Sequence, residues 1–182
     1  VETKIFNIHQ DLIERCRKND QKAQFEIYKL YYKSLYNTAL RILNHSAEAE
    51  DVMQESFLAA FQKIQNYSEK STFGAWLKKI VIHKSLDALR KKKMNFCEIE
   101  NDILNISEEE ENEKTESEIF FEVERIKLKI KELANGYRII LSLHLFENYS
   151  HSEIAEMLNI SSETVRSQFS RAKKKLLTLL NQ

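Results

Sequence analysis

The chain of 182 residues contains no proline and only two glycines, Gly74 and Gly136. Long helix-period segments with so few breakers argue for an all-α protein. No glycine-rich phosphate loop is present. Cysteine is nearly absent too: Cys16 and Cys97 lie far apart, without metal-ligand or redox spacing. That usage predicts free thiols in a reducing cytosol. No apolar run reaches membrane-spanning length, and the N-terminal residues lack the apolar core of a signal peptide, so a soluble cytoplasmic protein is expected. The sequence begins at Val1, without an initiating methionine. There is no nucleophile–base pair with supporting context, so no catalytic residue, metal, cofactor or small-molecule substrate is expected. His144 and His151 stand without a carboxylate or cysteine pattern and read as structural.

Charge is present in equal amounts of both signs, 28 basic and 28 acidic residues, but it is unevenly placed. Residues 1–93 carry a net +6, residues 94–118 a net −9, and residues 119–182 a net +3. Two basic segments flank an acidic one, and the neutral total conceals a plausible nucleic-acid binder. The acidic segment includes SEEEENEKTESE, a block of like charge without helical apolar periodicity. Such a block repels itself and cannot bury a core, which predicts a flexible linker over 94–118. An exposed helix is the alternative, since glutamate favours helices.

Before the linker, apolar periodicity predicts helices over about 8–18, 21–43, 47–65 and 72–92. The second is rich in aromatics: Phe25, Tyr28, Tyr31, Tyr32 and Tyr36. In the third, Ser46 is the candidate N-cap, and Val52, Met53, Ser56, Phe57, Ala60, Phe61 and Ile64 form the face expected to be buried. The fourth carries Phe73, Trp76, Leu77, Ile80 and Leu89 at core spacing and ends in Arg90-Lys91-Lys92-Lys93. Roughly ninety residues of such helices suffice for a core. After the linker, helices are expected over about 119–132 and 136–146.

The stretch Tyr149–Leu176 then reads as two short helices around a tight turn. Ser150 and Glu153 form an S-x-x-E capping box. Ile154, Ala155 and Leu158 give the first helix its apolar face, and Asn159-Ile160-Ser161 interrupts it. Ser161 caps a second helix with Val165, Phe169, Ala172 and Leu176 as its stripe. At about 100° per residue, Glu163, Ser167, Ser170, Arg171 and Lys174 fall opposite that stripe. A helix buried on one side and polar or basic on the other suits the major groove of DNA. A plain helical hairpin with a solvated basic face is the alternative at this point.

The order of motifs carries a resemblance. AEAEDVMQESFLAAFQKI, then FGAWLKKIVIHKSLDALRKKK, then LANGYRIILSLHLFENYSHSEIAEMLNISSETVRSQFSRAKKKL closely resembles a sigma-70 family RNA polymerase sigma factor. Two helical units with only a linker between them resemble the extracytoplasmic-function (ECF) subgroup. The resemblance implies a sigma-2 domain over 1–93, an acidic linker over 94–118 and a sigma-4 domain over 119–182. It also implies that the D-x-x-Q-E helix, with Asp51, Gln54, Glu55, Leu58 and Gln62 outward, docks on the clamp helices of the polymerase core. An exposed leucine among acceptors suits a partner that presents arginines.

By the same resemblance, the segment from Asn66 into the fourth helix opens and reads the −10 promoter element. Tyr67, Ser68, Glu69, Lys70, Ser71 and Thr72 would line the pocket for an unstacked base. Lys78, Lys79, Lys84, Arg90, Lys91 and Lys92 would follow the phosphates. Trp76 shares the core stripe, so packing is its favoured role over stacking on a base. His83 stands where asparagine is common in the family. Leu133-Ala134-Asn135-Gly136-Tyr137-Arg138 matches L-P-x-x-x-R with alanine for proline, Asn-Gly supplying turn chemistry. Asn148 stands where glycine is common and suits a left-handed conformation. The helix-turn-helix would read the −35 element through Glu163, Thr164, Arg166, Ser167 and Ser170, with Arg171, Lys173 and Lys174 on phosphates. The implied partners are the polymerase core, promoter DNA and an anti-sigma factor. A stand-alone helix-turn-helix regulator is the alternative reading.

Overall fold

The computed structural model describes residues 7–92 and 117–182 in full and Glu116 by its backbone. The expected linker up to residue 115 lies outside the described residues, as do Lys93 and Cys97. The described residues form α-helices and one 3-10 turn, with no strand among them. The chain divides into two compact units, Val1–Lys93 and Met94–Gln182.

The first unit comprises α1 (Gln10–Arg17), α2 (Gln21–Leu43), α3 (Ser46–Gln62), a 3-10 turn (Ile64–Asn66) and α4 (Phe73–Lys91). Helices α2, α3 and α4 each start where a side chain takes an orphan amide of the first turn. Asp20 Oδ1 accepts from the amides of Lys22 at 2.9 Å and Ala23 at 3.2 Å. The Arg15 guanidinium beside it holds the Asp20 carboxyl below the usual carboxylate range. Asn44, left-handed at φ 54°, closes α2. The third helix is capped by His45 rather than by Ser46: the His45 Nδ1 accepts from the Glu48 amide, and Ser46 is already helical. That helix also ends sooner than its periodicity suggests, the chain tightening into the 3-10 turn that buries Ile64.

The core of this unit is the seam where α2, α3 and α4 meet. Ile27, Leu35 and Ile42 of α2 face Met53, Phe57 and Ala60 of α3 and Leu77, Ile82 and Leu86 of α4, all buried. Removing one such leucine or isoleucine side chain would cost about 2–5 kcal/mol. Cys16 of α1 is buried as well, and desolvation pushes its thiol up to about 11, so it serves as a small apolar residue. Three expected core members are only half-buried: Phe61, Trp76 and Ile80. Phe25 is exposed.

The second unit comprises α5 (Glu116–Glu132), α6 (Asn135–Leu145), α7 (His151–Leu158) and α8 (Ser162–Leu180). Residues 116–118, expected in the linker, are therefore helical. Buried from Gly136 to Leu143, α6 is the central helix of the unit. Ile130 and Leu133 of α5 close on Tyr137 and Leu141 of α6 and on Ala172 and Leu176 of α8. Asn135 and Gly136 do not make a turn: they are the first residues of α6, and Gly136 has no positive φ. Asn148 does adopt the left-handed conformation, at φ 59°.

A unit this small has little stability to spare, so its helix caps should be measurable. Replacing the N-cap Ser150 with alanine should destabilise the second unit by about 1 kcal/mol. Urea unfolding of the full chain, followed by a probe in that unit, would show an earlier midpoint; an unmoved midpoint would refute the cap's contribution.

Candidate nucleic-acid interface

The helix-turn-helix is built from local chemistry. Ser150 Oγ accepts from the Glu153 amide at 3.3 Å while the Glu153 carboxylate accepts from the Ser150 amide at 2.8 Å. This is the reciprocal capping box that starts α7. Asn159 ends α7 in the left-handed region at φ 55° and ψ 48°, and the Ile160 amide donates back to the Ala155 carbonyl. Two residues after Asn159, Ser161 Oγ accepts from the Thr164 amide and starts α8.

The faces of α8 separate cleanly. Val165, Gln168, Ala172 and Leu176 are buried, and Phe169 is half-buried. Glu163, Arg166, Ser167, Ser170, Arg171, Lys173 and Lys174 are exposed, with Thr164 intermediate. Glu163 is held below the ordinary carboxylate range by its own amide and by the Ser161 hydroxyl. Gln168 was not expected inside; no periodicity rule places a glutamine there.

Behind this face, Phe169 touches two imidazoles. Its ring centroid is 4.7 Å from that of His144 and 4.9 Å from that of His151, and the two imidazoles are 4.8 Å apart. His144 Nδ1 lies 2.8 Å from the Tyr149 carbonyl. A carbonyl only accepts, so Nδ1 carries the proton. Burial, then His144 and Arg166, lowers the pKa of His151. The pair is a packing device between α6, α7 and α8. Among the described residues no three His, Cys, Asp or Glu side chains form a metal-sized group.

In the first unit, burial of Val52, Met53, Ser56, Phe57 and Ala60 leaves Asp51, Gln54, Glu55, Leu58 and Gln62 exposed on one side of α3. Leu58 is 64% exposed, a large apolar side chain among carboxylates and amides. On α4, burial of Leu77, Val81, Ser85 and Leu89 turns Lys79, Arg90 and Lys91 to solvent, with Lys78 and Lys84 half-exposed. Lys84 Nζ reaches Glu55 Oε2 at 3.0 Å, and Lys92 pairs with Glu48. Lys84 of α4 and Lys92, the residue that caps its end, are thus tied to two carboxylates of α3. Arg90 pairs with Asp87 of its own helix at 2.8 Å.

The segment between α3 and α4 departs from expectation. Ser68, Lys70, Ser71 and Thr72 are exposed, and Thr72 is the N-cap of α4 through the Ala75 amide. Tyr67, expected to line a base pocket, is only 3% exposed. Its ring packs on Phe73 and on the half-buried Trp76, with centroids 5.3 and 5.2 Å away. Its hydroxyl faces the Ser71 carbonyl at 2.6 Å. Tyr67 is a pillar under the loop and not a stacking platform on it.

A capped pair of helices at a left-handed turn, presenting a polar and basic face, defines a helix-turn-helix. Comparison with known proteins names its kind. Residues 27–94 match the family model for sigma-70 region 2, and residues 124–176 match that for sigma-70 region 4. The ECF RNA polymerase sigma factor SigW of Bacillus subtilis is 28% identical over 172 residues, covering 90% of this chain and 92% of its own. The RNA polymerase sigma-H factor of Pseudomonas aeruginosa is 28% identical over 177 residues, covering 90% and 89%. Among solved structures, RpoE of Bartonella quintana, crystallised with the anti-sigma factor NepR, matches with a TM-score of 0.55 at 20% identity. That match covers 86% of this chain and 95% of the other. CnrH, in complex with the cytosolic domain of CnrY, matches at 0.55 and 21% identity over 95% and 97%. The structural likenesses concern the fold.

The chain belongs to the sigma-70 family of RNA polymerase sigma factors, in the ECF subgroup. Sigma factors direct RNA polymerase to promoters, and the stand-alone regulator is not favoured. Among the described residues no helix is long and apolar enough to cross a membrane.

The half-buried His151 gives the second unit a pH dependence. Its pKa is lower folded than unfolded, so the neutral form favours folding. Stability should be complete above the ordinary histidine value of about 6.5 and fall as the pH drops through the depressed folded value. Melting temperature measured from pH 7.5 to 5 should decline, and His151→Phe should flatten that decline. An identical slope in the variant would remove His151 as the cause.

Proposed function

We propose that the first unit, residues 1–93, holds the core polymerase and reads the −10 element, while residues 119–182 read the −35 element. The acidic segment joins them. The outer face of α3, with Asp51, Gln54, Glu55, Leu58 and Gln62, takes the clamp helices of the core. The exposed Leu58 carries this assignment. A leucine ringed by carboxylates and amides offers an apolar anchor with acceptors placed for arginine. The protein works in the cytoplasm as a dissociable, non-catalytic subunit, and phosphodiester chemistry belongs to the core. An anti-sigma factor, of the kind crystallised with RpoE, covers these faces when transcription is not wanted.

On DNA, Arg166 and its neighbours Glu163, Thr164, Ser167 and Ser170 meet base edges, whereas Arg171, Lys173 and Lys174 meet phosphates. Lys78, Lys79, Lys84, Arg90 and Lys91 follow the strand near the −10 element, and Ser68, Lys70, Ser71 and Thr72 face the unstacked bases. Each unit alone binds weakly. The polymerase supplies the second point of attachment and with it the effective concentration.

Leu58→Asp, at an exposed position that folding does not use, should weaken binding to core polymerase at least about tenfold. Wild-type affinity in that variant, measured by fluorescence anisotropy, would sink the docking assignment. In the holoenzyme, Arg166→Ala should change which −35 variants are preferred, costing about 1–3 kcal/mol at its own base pair. Lys174→Ala should weaken all promoters about equally and flatten the salt slope. Uniform loss for Arg166→Ala would reject its role as a base reader.

A further inference from the structure

Helix α1 and Asn7, three residues before it, have no part in docking or DNA contact as assigned above, yet their polar side chains converge on one place. Asn7 is 6% exposed, and its Oδ1 accepts from the Phe73 amide, the first residue of α4, at 2.8 Å. The Tyr67 hydroxyl lies 3.1 Å from the same oxygen. Arg17 Nη2 donates to the Tyr67 carbonyl at 2.9 Å, and Arg17 Nη1 meets Glu69 Oε1 at 3.2 Å. Gln10 Nε2 donates to that Glu69 oxygen at 3.2 Å. The single Tyr67 hydroxyl proton goes to the nearer acceptor, the Ser71 carbonyl at 2.6 Å, and closes the loop on itself.

The loop between the 3-10 turn and α4 is therefore held at Tyr67, Glu69, Ser71 and Phe73. Glu69 sits in the left-handed region at φ 57°, a conformation that a glutamate keeps only when its surroundings impose it. Between the anchors, Ser68, Lys70 and Ser71 present their side chains to solvent. Burial raises the pKa of the Tyr67 phenol, so it remains a donor across the physiological range.

We propose that Asn7 and Arg17, with Gln10, are positioning residues for −10 recognition: they hold the loop 67–72 in its base-capturing shape before DNA arrives. The inference rests on the assignment of that loop to the −10 element. A loop ordered in advance avoids the entropic cost of ordering at the moment of capture. It also presents Ser68, Lys70 and Ser71 in one arrangement, and discrimination among bases depends on such fixed geometry. A loop freed from α1 would still touch the strand but would select among bases poorly.

The test uses holoenzyme assembled from core polymerase and the full chain, with single-stranded DNA randomised over the −10 positions as the probe. Wild type should enrich particular bases. Asn7→Ala and Tyr67→Phe should each reduce that enrichment about tenfold, with core affinity and overall retention of DNA unchanged. Tyr67→Phe keeps the aromatic packing and so remains informative if Asn7→Ala folds poorly. Asn7→Asp, which preserves the acceptor for the Phe73 amide, should recover the preference. Wild-type enrichment in both Asn7→Ala and Tyr67→Phe would overturn the proposal. Failure of wild type itself to enrich any base would overturn the −10 assignment beneath it, a separate result.

Discussion

The packing of α4 against α2 and α3 is the constraint on which the first unit depends. Leu77, Val81, Leu86 and Leu89 go inward together, so the lysines and arginines between them can only go outward. The same seam turns Val52, Phe57 and Ala60 of α3 inward and leaves Leu58 with its carboxylate neighbours outside. Neither face needs a dedicated device. Each is the remainder of a helix whose other side is used up by the core. Rotation of α4 by one residue would bury a lysine and expose a leucine, and the cost of that exchange fixes the orientation of the cations.

What the sequence made legible follows the range of the interactions. The Ser150–Glu153 box and the Ser161 cap were readable because donor and acceptor lie three residues apart. The exposed faces of α3 and α8 were readable because a helix repeats every 3.6 residues. Tyr67 was not. Its burial is set by Asn7, sixty positions earlier, and by packing on Trp76 and Phe73. A tyrosine beside polar residues looks like a surface aromatic until that distant partner is in place. Asn7, Gln10 and Arg17 escaped notice for the same reason, since single polar residues around a short helix make no pattern. Local rules also misled at two turns. His45 took the capping role from its neighbour Ser46, and Gly136 entered a helix whose buried setting outweighs the turn preference of Asn-Gly.

The second unit solves a different problem, that of holding the exposed face of α8 steady with very few residues. Its central helix α6 is buried over most of its length, and even Arg138 is taken inside at 3% exposure. Desolvation lowers the Arg138 pKa, though the group still donates toward the Leu133 carbonyl at the start of the unit's core. Where α6 and α7 meet α8, His144 and His151 lay aromatic surface against Phe169. Arg166 and Ser170 flank that ring on α8, so the packing that orients Phe169 also orients the exposed residues on either side of it.

The ion pairs across the α3–α4 seam bear on how such a subunit can be both specific and dissociable. Glu55–Lys84 at 3.0 Å has Glu55 largely exposed, and an exposed pair of this kind contributes about 0–1 kcal/mol. It is too weak to organise the fold, which the apolar seam already does. It is also too weak to commit either group, so a stronger or better-desolvated partner can take Glu55 or Lys84 at little cost. Because the two are paired with each other, withdrawing Glu55 toward an external cation leaves a positive charge on α4 without its neighbour. Withdrawing Lys84 toward a phosphate leaves an acidic group on α3 in the same way. Each withdrawal makes the other more favourable, and linkage requires the effect to be equal in both directions. Core docking on α3 and DNA binding along α4, as proposed, are thus coupled through one exposed ion pair, by an amount no larger than that pair is worth.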